Sequence, residues 1–238
     1  MKKSIFAIFL LIALLVISAC SSATTTTTPV TGLGFAPAPW SNGETTNYDW
    51  LDDASGNRIG TSTITITQQT TNWIIKEVDL IAQEDQTIEM TINGETLKAV
   101  GEQKTIKTPG NDISLSSVYS AGKVDITADV NGTQKTASVD VPQNAVDNDQ
   151  LLMSLRALPF SEGYKATYVI INTMNATLTN GNFTVQPQET VTVPAGSFNT
   201  WKVEMNFGQT TQYAWYEVDS PHTLVKYDNG TTQMVLSK

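Results

Sequence analysis

Alternation with a period of two, broken at intervals by Asn-Gly dipeptides, restricts this chain more than any other feature. Ile64 and Ile66 alternate with Thr63, Thr65 and Thr67, and Ile88, Met90 and Ile92 with Thr87, Glu89 and Thr91. Val124, Ile126, Ala128 and Val130 alternate with Asp125, Thr127 and Asp129. The cleanest run sets Trp201, Val203, Met205 and Phe207 against Lys202, Glu204 and Asn206. Successive side chains of a strand point to opposite faces, so each run reads as a strand with one face in a core and one in water. That is the pattern of an antiparallel sheet. Asn-Gly occurs at 42–43, 93–94, 131–132, 180–181 and 229–230. The pair suits a type I′ turn, which needs positive φ at both central residues and is the favoured two-residue hairpin.

One segment departs from this period. Leu151, Leu152, Leu155 and Leu158 recur at helical spacing between Asn148 and Pro159, which predicts a short amphipathic helix over 148–158 with Asp149 near its start. Its leucines need cover, at ~1.5–3 kcal/mol each when buried. The expected fold is therefore all-β in the main: a single curved antiparallel sheet or half-barrel, with one short helix packed on its concave face. Asn-Gly-Glu-Thr recurs at 42–45 and 93–96, but the residues after each copy diverge, and no long linker divides the body. Residues 40–238 are expected to form one domain.

The first forty residues have another character. Lys2 and Lys3 precede an unbroken apolar run from Ile5 to Ile17, and Ser18-Ala19 lead into Cys20, the only cysteine. A basic start, a short apolar core and small residues before a cleavage point make a secretory signal over residues 1–19. The run is shorter than the roughly 20 residues that span a bilayer. Ile17-Ser18-Ala19-Cys20 resembles a bacterial lipoprotein box, which implies that Cys20 is acylated on sulfur, with palmitate or a similar chain, and becomes the new N-terminus. Two or more acyl chains at one residue hold a protein stably to a membrane. The following stretch to residue 39, with five consecutive threonines and then Pro29 and Gly32, has the composition of a tether. Phe35, Pro37, Pro39 and Trp40 mark its return to the body. The mature chain then lacks thiols, which excludes disulfides and thiolate metal sites. The expected location is extracytoplasmic, on the outer face of a cell membrane or at an outer membrane if the source has two.

Charge narrows the partners. The net charge is −9, and since Lys2 and Lys3 fall within the leader, the mature chain is more acidic still. No basic cluster is present, so nucleic acid is excluded as a partner.

The C-terminal half carries a resemblance. Leu155-Arg156-Ala157-Leu158-Pro159-Phe160 with Gly163-Tyr164, the run Glu189 to Thr200 containing Val-Pro-Ala-Gly-Ser-Phe, then Ala214-Trp215-Tyr216 and His222 to Tyr227, resemble an uncharacterised family of bacterial exported proteins, a domain of unknown function with lipoprotein relatives. The likeness covers residues 145–230, while 40–140 match loosely at Gly43-Glu44 and Ile59-Gly60. It implies a curved sheet wrapped partly around a helix, like the half-barrels of lipoprotein carriers. It supplies no catalytic residue. Read without the family, Val191 and Val193 share a strand face, Pro194-Ala195-Gly196 form a tight turn, and Phe198 starts the return.

Candidate sites are few. His222, the only histidine, follows Ser220-Pro221 and has no nucleophile elbow to serve. Ser120-Ala121-Gly122-Lys123 matches a Ser-x-x-Lys motif but reads as a turn between strands. Asp52 to Asn57 and Asp147-Asn148-Asp149 lack the full spacing of a calcium loop. Asn-x-Thr triplets at Asn131, Asn175, Asn182 and Asn229 read as turns. Neither a catalytic residue nor a cofactor or metal is expected. Arg156, one of two arginines, reads either as an anchor for Glu189 or Glu204 or as the partner of a ligand anion. Tryptophans 50, 73, 201 and 215, with several tyrosines, form either core or an aromatic cavity.

Three functions follow. The first is a tethered, non-catalytic module that holds an apolar or amphiphilic ligand, such as a lipid, against Arg156, Trp201, Met205, Phe207 and Trp215. An envelope scaffold, with a filled core and an exposed patch or open strand edge, is the second. A hydrolase of envelope polymers, the third, lacks converging acid and base groups.

Overall fold

The computed structural model describes residues 33–237. The expected signal segment, Cys20 and most of the tether lie outside the described residues. Fifteen strands follow in chain order: β1 (Glu44–Asp52), β2 (Arg58–Gln69), β3 (Asn72–Ile81), β4 (Glu84–Asn93), β5 (Ala99–Thr108), β6 (Asn111–Ser120), β7 (Lys123–Val130) and β8 (Thr133–Asp140). After these come β9 (Ala145–Asp147), β10 (Lys165–Asn172), β11 (Thr177–Val193), β12 (Gly196–Asn206), β13 (Thr211–Glu217), β14 (Leu224–Asp228) and β15 (Thr232–Leu236). All belong to one sheet, in the order β8 through β1, then β15 down to β9. Two meanders thus run outward from a central seam where β1 pairs with β15, Tyr48 opposite Leu236. Every pairing is antiparallel except β9 with β10.

The topology forces the sheet to curl. β8 and β9 are its two opposite edges, yet only residues 141–144 separate them. Four residues reach at most about 18 Å, so the far edges must approach each other. They meet through side chains rather than through a ladder: Ile171 of β10 is fully buried beside Leu115, Val124 and Ile126 of β6 and β7. The result is the expected curved, barrel-like sheet left open at one seam.

The helical segment fills the inside of the curl. It is a 3₁₀ turn (Asn148–Gln150), the four-residue helix α1 (Leu151–Ser154) and a second 3₁₀ turn (Leu155–Ala157), shorter and less regular than the spacing predicts. Its cap is Asp147, whose carboxylate accepts the Asp149 amide at 2.8 Å, and Asp149 lies in the first turn, near the start as expected. Leu151, Leu155 and Leu158 are buried in the main core with Tyr48, Ile66, Met90, Met205 and Tyr216. The body takes up the chain earlier than Trp40. Leu33 is buried, Phe35 lies 5.3 Å from the Tyr168 ring, and the Ala36 amide donates to the Ala157 carbonyl at 2.7 Å. Among the described residues no helix is long and apolar enough to cross a membrane.

Of the five Asn-Gly pairs, only one forms the expected type I′ hairpin. Asn131 and Gly132 take φ of 54° and 82°, the paired positive values of a type I′ hairpin. Asn229-Gly230 separates β14 from β15, and Asn42-Gly43 precedes β1. Asn93 ends β4 and opens a longer connection, accepting the amides of Glu95 and Thr96. Asn180-Gly181 is not a turn. It lies inside β11, where a Cβ on Gly181 would come within 2.8 Å of the Phe183 ring and 2.9 Å of the Phe207 ring. The glycine serves close packing of two aromatic rings. The β11–β12 hairpin turns at Pro194-Ala195 as expected, pairing Val193 with Gly196. Its tip folds over the outer face, placing Val193 against Val225 and Val235 in a small second core.

Candidate functional site

Trp201, Met205 and Phe207 are packed in or against the main core, with Met205 fully buried. Trp201 stacks on Phe160 at 6.4 Å, and Phe207 meets Phe183 edge-on at 6.0 Å. Trp215 does not join them. It pairs with Lys202 while Trp201 pairs with Tyr216, and cross-strand partners share a face, so Trp215 lies on the outer side of the sheet. Lys202 and Lys226 cover its ring at 5.0 and 4.9 Å, and its indole N–H donates to Glu189.

Arg156 is an anchor inside the fold. Its side chain is 1 % exposed. Nη1 donates to Glu44 Oε1 at 2.5 Å, Nε to the carbonyls of Pro221 and His222 at 3.2 and 3.1 Å, and Nη2 to Pro221 at 3.0 Å. The partner is Glu44 and not the expected Glu189 or Glu204, because those two point outward beside Lys202 on the other face. With its fork occupied by Glu44 and backbone, Arg156 has no edge turned to a ligand. His222 packs 4.8 Å from the Phe160 ring, its Nδ1 2.9 Å from the Glu217 carbonyl.

Open space lies elsewhere beneath the helical segment. A cavity of about 180 Å³ is lined by Trp50, Ile64, Ile88, Leu152 and Tyr227 together with Glu77, Asp79, Gln86 and Asp149, Glu77 standing between Ile64 and Ile88 on the neighbouring strands. Hydrogen bonds fix its walls. The Trp50 indole N–H donates to Ser62 Oγ at 2.7 Å, Ser62 donates in turn to Asp79 Oδ1, and Gln86 donates to Asp79 Oδ2 at 2.8 Å. Tyr227 stands edge-on to Trp50 at 6.4 Å and donates to Gln212 at 2.8 Å. The roof is held by the helical backbone: Tyr216 donates to the Leu152 carbonyl at 2.9 Å and the Trp40 indole to Met153 at 3.3 Å.

A buried charge cluster adjoins this cavity. Glu102, Asp147 and Asp149 bring one oxygen each within 4.8 Å of one another, a spacing compatible with a metal ion. Lys104 supplies the positive charge from within the chain, its ammonium 3.2 Å from Glu102 and bonded to Asp149. Thr173 donates to Glu102 Oε2 at 2.7 Å, and Tyr119 donates to Asp147. Burial, and then the neighbouring acids, push Glu102 up to about 8 and Asp147 up to about 7. For Lys104, burial works downward, but Asp149 and Glu102 outweigh it and its pKa is raised. Asp149 is held below the ordinary range, because a hydrogen bond from Glu102 and the Lys104 charge overcome its desolvation. On the cavity side, burial and the adjacent Asp79 raise Glu77 well above the usual carboxylate range. Beyond Asp147 a second, mostly apolar recess of about 160 Å³ opens at the seam, between Tyr119, Ala121, Val141 and Pro142.

Alternation alone hides these residues. In Lys76-Glu77-Val78-Asp79-Leu80 it selects Val78 and Leu80 as the inner face, yet Asp79 is buried and Leu80 is 53 % exposed. The legible signal is the lack of any apolar partner on either face of Glu102-Gln103-Lys104-Thr105.

Comparison with known proteins places this architecture. A family model described as a protein of unknown function, DUF3108, matches residues 45–237. The crystal structure of a beta-barrel-like protein of domain of unknown function DUF1849, from Brucella abortus, superposes with a TM-score of 0.57 at 11% identity, covering 82% of this chain and 95% of that one. A Bacteroides fragilis protein with a YmcC-like fold aligns at TM-score 0.34 and 16% identity, over 87% of this chain and 98% of its own. No curated protein matches the chain in sequence.

Proposed function

The chain belongs to the DUF3108 family of unknown function, and we propose that it is an extracytoplasmic, lipid-tethered binding protein with no catalytic role. Its ligand is a small amphiphile, or the end of a larger one, held between the helical segment and the sheet. The single observation that carries this reading is the cavity of about 180 Å³ whose lining combines Trp50, Leu152 and Tyr227 with the polar groups Glu77, Asp79 and Gln86. Dry cavities of roughly 150 Å³ accept benzene-sized ligands, whereas drug-sized ones need about 300 Å³ or more. A whole lipid therefore does not fit, and the rest of the sheet interior is already filled by Met205, Leu155 and their neighbours. Among the described residues, the lone histidine lies away from this cavity, which supports the non-catalytic reading. Location and anchor rest on the signal sequence and Cys20.

A second reading, docking through a sheet edge, is favoured by β8, exposed along nearly its whole length on both faces. Native mass spectrometry separates the two. Protein purified from its own host is expected to carry a small co-purifying mass that is lost on unfolding. Bare apo mass, with a partner chain bound instead, overturns the binding reading. For the anchor, palmitate label is expected in the wild type and absent in Cys20→Ser. Equal labelling of both defeats it.

A further inference from the structure

Resting on the cavity reading above, we propose that this cavity takes the protonated amino group of a small organic cation, its charge against Glu77 and Asp79 and its apolar part against Trp50 and Tyr227. Acidic side chains outnumber basic ones here, although burial raises Glu77, Glu102 and Asp147 and favours their neutral forms. Glu77, Asp79, Glu102, Asp147 and Asp149 are gathered under the helical segment, and Lys104 is the one basic side chain placed among them. Lys104 is committed to Glu102 and Asp149, and Arg156 to Glu44. Among the described residues, no ion pair reaches Glu77 or Asp79.

Hydrogen bonds hold this lining in place. Asp79 is buried and held by Ser62 and Gln86, so its carboxylate cannot turn away from the cavity without losing both bonds. Ser62 also fixes the Trp50 indole, tying the aromatic surface to the anionic one. Aromatic faces beside carboxylates are how proteins recognise ammonium groups. A neutral hydrocarbon would leave the two acids without an opposite charge, and an anion would meet them at short range.

Binding has a proton balance. Glu77 faces Asp79 on its own strand, Asp149 on the helical segment, Lys104 on β5 and Tyr48 on β1, and burial with these acids favours its protonated form in the empty cavity. An arriving ammonium keeps its own proton, and Glu77 gives one up to solvent, leaving an ammonium–carboxylate pair. Affinity for the cation therefore rises with pH as Glu77 ionises.

The test uses three probes of one shape, benzylammonium, benzyl alcohol and benzoate, titrated calorimetrically into the soluble full-length chain lacking its leader. Benzylammonium is expected to bind at least tenfold more tightly than the alcohol, with benzoate weakest. Repeating the titration in buffers of different ionisation heat is expected to show proton release. Glu77→Gln is expected to lower the preference for the cation about tenfold and leave the alcohol unchanged. If alcohol and ammonium bind equally, or no proton is released, the cation inference fails while the cavity reading stands. Binding by none of the three defeats both. Should Glu77→Gln fail to fold, proton release by the wild type decides the matter alone.

Discussion

Arg156 and Glu44, 112 positions apart, form an ion pair of 2.5 Å that fastens the end of the helical segment to the first strand. Both side chains are largely buried, at 1 % and 14 % exposure. Removing one member of such a pair strands the other, at a cost of about 3–5 kcal/mol. Arg156→Ala is expected to lose that much in urea unfolding. Arg156→Lys is expected to recover little of it, since an ammonium cannot reproduce the fork that holds Glu44 and two carbonyls together. A loss below about 1 kcal/mol would show that the segment is held by its leucines alone.

The interior acids predict a pH dependence. Glu102 moves from 4.5 to about 8 and Asp147 from 3.8 to about 7 on folding. Between the ordinary and the raised values the folded chain holds more protons than the unfolded one, so stability falls as pH rises. The contribution is complete below the ordinary values and is lost as pH climbs through 7 and 8, at about 1.4 kcal/mol per pH unit for each retained proton. Glu102→Gln is expected to flatten this slope in thermal melts between acid and mildly alkaline buffer. An unchanged slope rules Glu102 out as its source.

Gly60 predicts a steric effect. A Cβ there would lie 2.3 Å from the Leu80 carbonyl oxygen and 2.6 Å from the Ile81 Cα, both backbone atoms. Gly60→Ala must push β2 off β3 and is expected to destabilise by about 1–3 kcal/mol. Gly101→Ala meets only the Ser117 carbonyl, at 3.1 Å, and should cost less. Paired denaturation curves compare them, and equal losses would contradict the geometry.

Two leucines of the helical segment separate core from cavity. Leu155 is fully buried, so Leu155→Ala is expected to cost about 2–5 kcal/mol. Leu152 borders open space, so Leu152→Ala should cost less and admit a bulkier ligand. Denaturant midpoints, with benzylammonium against its naphthyl homologue, read both effects.

The strands were legible because their chemistry is local. Alternation in Ile88-Glu89-Met90-Thr91-Ile92 fixes which face is wet, and Asn131-Gly132 sets its own backbone angles. The helical leucines were legible for the same reason. Position across the sheet was not. Trp201 and Trp215 look equivalent in sequence, and only the register of β12 against β13 puts them on opposite sides. Glu77, Asp79, Glu102 and Lys104 escaped because a charged residue in an alternating strand reads as solvent-facing. Here Ser62 and Gln86 on the adjacent strands receive Asp79, and nothing in a local window records that Asp149 of the helical segment will meet Lys104.

The seam between β1 and β15 bears on how the protein reaches its folded state. Residues paired there, such as Tyr48 and Leu236, are separated by nearly the whole body, so neither meander is joined to the other until the last strand has arrived. Hairpins within each half form early, but acquisition of the finished structure waits on one very long-range closure, the kind of step that makes sheet proteins slow. During that wait the backbone edge of β1 stands unpaired, and that strand needs protection from pairing with another chain until the closure is made.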